Sequence, residues 1–369
     1  MNDSADAPLR HSPLEAQHED VGAKLGPFGG WLMPIEYQGV LSEHRAVRER
    51  VGLFDLSHLG KVDVSGAGAG ALLQGVLTND AGSIEAGHTQ YNLLLNDEGG
   101  VEEDLLVYRL AEDRFFLVPN AANTDMVTAT LRAAAEDVEV VRHDDWCFLG
   151  VQGPRSREVV GTLFAEAGDL EYLGVSETRF REDRLVLART GYTGELGFEL
   201  FTSASSAGAL WEELMEAGDP FLIEPCGLGA RDVLRLEMGY PLCGQDLTPD
   251  RTPLEAGLAW AVAMDTGAFR GREALLRQRA AGVPSRLRGM VMQDRRHIPR
   301  AHHSVLADGA WVGEVTSGTF SPALQRGIAM GYLTPADTFE PGSAVEVDVR
   351  GRRGQATVVR PPFVDRSPR

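Results

Sequence analysis

The run RTGYTGELGFEL, from Arg189 to Leu200, crowds three glycines into a turn and then enters an apolar strand. Gly191, Gly194 and Gly197 permit φ > 0 and close backbone approach. Phe198 and Leu200 fall on one face of the strand, so Glu199 points to the other, beside Phe201. A carboxylate in an aromatic-flanked strand suits a flat heterocycle with paired N–H donors, such as a pterin or purine edge. The same pattern also describes a hairpin that leaves Glu199 on a solvated sheet face.

A second chemical centre is GGVEEDLLVYR, Gly99 to Arg109. Asn96, Asp97, Gly99 and Gly100 make a turn that leads into an apolar strand over Leu105 to Tyr108. Glu102, Glu103 and Asp104 stand at its entrance. Adjacent carboxylates repel, which raises the proton affinity of one of them and suits it to proton transfer. A solvated acidic turn is the competing reading. In GLGARDVLRLEMG, Arg231 and Arg235 sit at i and i+4 on one face of an amphipathic helix that Gly239 stops. Either they reach a ligand, or they lie on a salt-bridged surface in which Asp232 and Arg235 pair.

Further elements follow from local pattern. Ser42 is a good N-cap for a helix through Val51, with Gly52 at its stop. Phe115 to Val118 reads as a buried strand and Arg272 to Ala280 as a helix. LRGMVM, VGEVTSG, IAMGYL, AVEVDV and ATVVR are short strands at turn-punctuated intervals, as in a small barrel or sandwich. The division expected is a polar, disordered tail over 1–10, a mixed catalytic region over 11–276, a Gly/Pro/Arg-rich linker over 277–286 and a β domain over 287–369. The class is α+β.

Composition limits the function. A chain of 369 residues, 43% hydrophobic and 24% charged, reads as an ordinary soluble globular protein. A net charge of −19 argues against a nucleic-acid or anionic-membrane partner. No signal peptide and no run of 18 apolar residues is present, so the expected compartment is the cytoplasm. Cys147, Cys226 and Cys243 are widely spaced and the histidines scattered, which supports neither a disulfide framework nor a metal site. Phosphate loops of the GxxxxGK or GxGxxG kind are missing.

Seven further blocks stand in one order: the runs from His11, Gly39, Gln90, Asn120, Val151, Gly227 and Gly313. Together with RTGYTGELGFEL they resemble the aminomethyltransferase family, the T-protein of the glycine cleavage system, from about His11 to Val364. The resemblance implies the folate-binding aminomethyltransferase fold, a cloverleaf around a folate channel with a C-terminal β-barrel. It also implies tetrahydrofolate as co-substrate without a metal, and the lipoylated H-protein as partner. In the family's GGxxDDL block the second Asp carries the chemistry, which makes Asp104 the catalytic candidate. Glu103 replaces the first Asp, which suggests that this neighbour needs charge at most and no fixed length.

By the same resemblance Glu199 recognises the pterin, Tyr192 contacts it, and Leu59 stands for the Met that lines its pocket. Arg231 and Arg300 grip the folate tail, with Arg295 and Arg296 as rivals of Arg300. Tyr91 and Asn120 line the channel, and other arginines form a local patch for the acidic carrier. Three alternatives belong here. One is a folate-binding accessory protein of iron–sulfur cluster maintenance, whose KGCxxGQE-type motif is replaced by FRGREAL. Another is the folate half of a flavoprotein oxidase, which would need a fused dinucleotide-binding domain. The last is a folate-binding scaffold without chemistry.

Overall fold

The computed structural model describes residues 8–368, so most of the tail expected over 1–10 lies outside the described residues. Arg10 is already in a strand, Arg10–His11, paired parallel to Trp31–Glu36 in a three-stranded sheet.

Two larger sheets face each other. The six-stranded sheet runs, in spatial order, Val175–Phe180, Asp183–Ala188, Gly197–Ser203, Trp146–Gln152, Gly52–Asp55 and Glu224–Cys226. The five-stranded sheet runs His88–Leu95, Val101–Ala111, Arg114–Val118, Val62–Ser65 and Glu139–Arg142. Strand alternation sorts their side chains into three apolar layers. Phe198 and Leu200 join Leu149, Val151 and Leu187 beneath the helices Ser156–Leu163 and Ala207–Gly218. Leu105 and Val107 join Phe115 and Leu117 beneath the helices Ala69–Val76 and Thr124–Ala134. Between the sheets lie Phe54, Tyr108, Phe116, Phe148 and Phe201. Phe148 and Phe201 have ring centroids 4.1 Å apart. The inner faces of both sheets therefore meet, and Glu199 and Asp104 belong to those faces by alternation.

The last part of the chain is a closed six-stranded barrel. All five expected strands are present, and Ser304–Ala307 is a sixth, too short to register in the pattern. The helix Leu228–Glu237 carries the barrel: Leu236 packs with Ile328 and Met330, and Arg235 crosses to Ser317 Oγ at 2.9 Å.

Three local expectations shift. The helix expected to begin at Ser42 spans Val40–Glu49, with Gly39 at φ 105° as its cap residue. Glu43 accepts the Gly39 N–H at 3.1 Å, so the carboxylate caps the helix, and Ser42 Oγ turns to Glu224 instead. Gly52 opens a strand rather than ending the helix. The helix Arg272–Ala281 continues through Arg277–Ala281, the start of the expected linker, because these are good helix formers until Gly282 at φ 85°. The strand expected over Leu105 to Tyr108 runs over Val101–Ala111, so all three acidic residues lie inside it.

Candidate active site

Asp104 pairs in register with Leu93, and Tyr91 lies diagonally across on the same sheet face. The Tyr91 hydroxyl donates to Asp104 Oδ2 at 2.8 Å. Asn120 Nδ2 donates to Asp104 Oδ1 at 3.0 Å and to the Asp104 carbonyl at 3.1 Å. Both carboxylate oxygens are thus fixed by neutral donors. Burial pushes the Asp104 carboxyl well above the usual carboxylate range, against these two hydrogen bonds, with the charge of Asp246 adding to the rise. Tyr91 is itself stacked on Trp260 at 5.4 Å, and Trp260 is 65% exposed, so an indole roofs the site.

The three acidic neighbours diverge once folded. Glu102 pairs with Arg270. Glu103 is 0% exposed and accepts hydrogen bonds from Asn120 and Asn123. Its side chain is therefore sealed and held by fixed donors, not solvated. The reading of the block as a solvated acidic turn is overturned.

Glu199 is 4% exposed, which excludes a solvated sheet face. It pairs with Gly150 and Ala188 on its two sides. The Tyr108 hydroxyl donates to Glu199 Oε2 at 3.0 Å, and Thr190 Oγ1 donates to the same oxygen. Oε1 accepts nothing from the described residues. Burial raises the proton affinity of Glu199, and the Arg231 charge works the other way. Tyr108 follows Asp104 by four residues on one strand face, about 13 Å along it. One strand therefore spaces the two carboxylate centres.

Arg231 lies with its guanidinium 4.6 Å from the Tyr192 ring centre. It has no ion pair or hydrogen bond among the described residues, although burial weakens its hold on its proton. Arg235, its expected partner on the helix face, is instead consumed by structure. Its guanidinium reaches Asp232 at 2.8 Å and Asp246 at 2.7 Å, and it is 1% exposed. Tyr192 bonds the Pro241 carbonyl and stacks on Tyr240 at 5.6 Å. Leu59 packs at the edge of the layer between the sheets. His58, beside it, is buried with Nδ1 unpartnered; burial and the Arg231 charge push it down to about 3, so it is neutral.

Glu199 and Leu59 thus border the apolar layer between the sheets, with Arg231 near Glu199, while Asp104, Tyr91 and Asn120 form a second group on the neighbouring sheet. Tyr192 lies between the two, close to Arg231 on one side and to Asp104 and Tyr91 on the other. Arg300 is not brought to either: its guanidinium donates to the carbonyls of Pro299 and Gly318 at 3.0 and 3.1 Å. Arg295 and Arg296 are exposed and have no side-chain partner among the described residues. Tyr108, Thr190 and Trp260 were missed from sequence. Tyr108 was findable, being in phase with Asp104; Thr190 and Trp260 carried no local signal. Among the described residues no group of three or more His, Cys, Asp or Glu is arranged to hold a metal ion, and no helix is long and apolar enough to cross a membrane.

Two facing sheets with a carboxylate on each inner face, closed by a barrel through one helix, define the class: a GCVT-type protein. The GCVT N-terminal domain model matches residues 14–266, and the glycine cleavage T-protein C-terminal barrel domain model matches residues 286–365. An aminomethyltransferase of Frankia alni is 51% identical over 98% of this chain and 100% of its own length. One of Mycobacterium tuberculosis is 46% identical over 96% of this chain and 97% of its own. The crystal structure of the glycine cleavage system aminomethyltransferase T from Bartonella henselae superposes with a TM-score of 0.92 at 37% identity, covering 97% of this chain and 99% of that one. The chain belongs to the aminomethyltransferase family, the T-proteins of the glycine cleavage system, and it has that family's fold and transferase activity. The iron–sulfur accessory alternative is set aside.

Proposed function

We propose that the protein moves the one-carbon unit from the aminomethyl-dihydrolipoyl arm of a lipoylated H-protein to tetrahydrofolate, releasing ammonia and 5,10-methylene-tetrahydrofolate. The observation that carries this reading is the pairing of Asp104, held by Tyr91 and Asn120, with Glu199, held by Tyr108 and Thr190, on facing sheets.

The residues fit the substrate. Glu199 Oε1 meets the N–H edge of the pterin, while Tyr108 and Thr190 fix the other oxygen so that the carboxylate cannot rotate away. Leu59 supplies an apolar wall; its volume is close to that of Met, so the pocket survives the exchange. Tyr192 lies against the ring system, and the unpaired fork of Arg231 takes a carboxylate of the glutamate tail. Arg300 joins it from the barrel after its guanidinium leaves the two carbonyls that hold it.

Asp104 serves the reacting nitrogens. The transferred carbon passes between sulfur, a leaving amine and two folate nitrogens through states with positive charge. An oriented carboxylate in a dry site stabilises such charge and carries a proton. Its raised proton affinity suits both roles near neutral pH. The Tyr91 and Asn120 hydrogen bonds set its plane before substrate arrives, so that no reorganisation is needed during transfer. No step requires a metal, and the compartment is the cytoplasm.

Reconstitution tests the reading: aminomethyl-loaded carrier, tetrahydrofolate and this protein, with ammonia and methylene-tetrahydrofolate followed together. Equal yields of both support it. Folate binding without ammonia release would leave only a scaffold.

A further inference from the structure

Beyond Val118 the strand Arg114–Val118 has ended, while its neighbour Val101–Ala111 continues past it. The turn Asn120–Asn123 fills the vacant edge. Asn120 Nδ2 donates to the Asp104 carbonyl at 3.1 Å and Asn123 Nδ2 to the Glu102 carbonyl at 3.1 Å, replacing ladder bonds with side-chain ones. Glu103 locks this turn from the far face of the sheet. Its Oε1 accepts the Asn120 N–H at 2.5 Å and Asn120 Nδ2 at 2.9 Å, and its Oε2 accepts Asn123 Nδ2 at 2.5 Å. The single amide of Asn120 therefore bridges two carboxylates, Glu103 Oε1 and Asp104 Oδ1.

We propose that Glu103 is a positioning residue for Asp104: its fixed charge orients the Asn120 amide that bridges the two carboxylates. The inference rests on the reading of Asp104 as the catalytic carboxylate.

Two arguments assign the charge to Glu103 and the mobile proton to Asp104. Glu103 is completely buried and faces three N–H donor contacts, so its charged form is satisfied there. It also sits where the helical run through Thr124–Ala134 begins, the end at which backbone dipoles favour an anion. Asp104 is only half-buried and lies on the site face. The other groups around the pair do not substitute for Glu103. Tyr91 donates to Asp104, Asp246 adds a second negative charge from the segment before the barrel, and Glu102 is neutralised by Arg270. Cys243 Sγ touches Asn123 Nδ2 at 3.5 Å as a burial-raised, neutral thiol. Burial pushes both carboxyls of the pair upward, the Asp104 charge adding to the rise at Glu103 and the Asp246 charge to the rise at Asp104, in accord with one proton shared between two acids.

The test compares Glu103→Gln, Glu103→Asp and Asp104→Asn in the reconstituted reaction across pH. Glu103→Gln removes the charge and sets an amide N–H₂ against a donor of Asn120 or Asn123. The acid limb of kcat/KM should move down by about one pH unit, and kcat should fall roughly 10–100-fold with little change in KM for folate. Glu103→Asp keeps the charge and should restore the limb to its wild-type position, with a smaller loss in kcat. An acid limb that stays put in Glu103→Gln, with only a lowered melting temperature, would overturn the proposal. An Asp104→Asn variant as active as wild type would overturn the reading beneath it, which keeps the two failures apart.

Discussion

Arg231 holds its guanidinium 4.6 Å from the centre of the Tyr192 ring and meets no carboxylate among the described residues. A half-buried, unpaired arginine is costly to keep in an apo protein, and a ligand carboxylate would relieve it. Arg231→Met should therefore weaken tetrahydrofolate binding roughly 10–150-fold, the range of a charge-assisted hydrogen bond worth about 1.5–3 kcal/mol. Calorimetry should show the loss for tetrahydrofolate and none for tetrahydropteroate, which lacks the glutamate. The apo melting temperature should hold or rise. Equal loss with both ligands would mean that Arg231 serves the ring through Tyr192 and not the tail.

Asp104→Asn should keep the fold and folate affinity while lowering turnover roughly 10²–10⁴-fold. Asn preserves the size of the side chain but supplies neither the charge nor the proton site. In wild type, activity should fall as pH drops through a limb above the ordinary carboxylate range, because burial raises Asp104 and its ionised form is the active one. A limb near pH 4 would contradict that assignment.

Glu199→Gln should weaken folate binding roughly 10–150-fold, since the second oxygen becomes an N–H₂ group facing pterin donors. Tyr108 and Thr190 can still donate to the remaining carbonyl oxygen. Apo stability measured by thermal unfolding should change little. Unfolding of the apo protein with normal affinity in the surviving fraction would make Glu199 structural.

Glu237 is the acid-sensitive joint of the fold. It is 0% exposed and accepts from His44 at 2.8 Å, Arg48 at 2.7 Å and Ser321 at 2.6 Å, joining two helices to the barrel. Burial works against its charge, but these partners hold the carboxyl down to about 2 from an ordinary 4.5. A lowered folded-state value stabilises the fold above the unfolded value, and that contribution disappears as pH falls from about 4.5 through 2. Glu237→Ala should lose roughly 1–3 kcal/mol at neutral pH by leaving His44 and part of the Arg48 fork without their acceptor, while Arg48 keeps Glu195, and its unfolding free energy should depend less on pH across that window than wild type. A wild-type slope in the variant would remove Glu237 as the titrating group.

Carrier association should slow as salt rises. The chain carries −19, yet Arg295 and Arg296, on the connection after Met292, and Arg350 and Arg352, at the hairpin that opens the strand Arg352–Val359, are exposed and have no ion-pair partner among the described residues. Local attraction of this kind is screened over about 8–10 Å at 0.1–0.15 M salt. Stopped-flow association with an acidic carrier reads it directly. A rate that climbs steadily with salt would mean that net repulsion governs the encounter.

Much of the architecture was legible because it is periodic. Five of six barrel strands, the helix after Gly271 and the in–out alternation at Phe198, Glu199 and Leu200 follow from patterns a few residues long. Glu199 and Asp104 were legible as chemistry because a carboxylate in an apolar strand is locally anomalous. The helix start near Ser42 was misplaced because two residues there can cap, and the choice fell to Glu43, whose other oxygen accepts the Gly227 N–H at 2.8 Å from a distant segment.

Arg231 and Arg235 show where sequence stops. Both stand on one helix face, equivalent by spacing, yet Asp246 and Ser317 claim one and leave the other free. Glu102, Glu103 and Asp104 divide in the same manner, into an ion pair, a sealed carboxyl and a half-buried one on the site face. The sequence by itself determined the elements, the family and the residue types that carry the chemistry, since these depend on local periodicity and on collinear blocks. Only the tertiary structure decided which charge is paired, which is buried and which faces the site. Burial and electrostatic partnership come from segments 16 to nearly 200 positions away in the chain, such as Asn120 against Asp104 and Glu237 against Arg48 and His44.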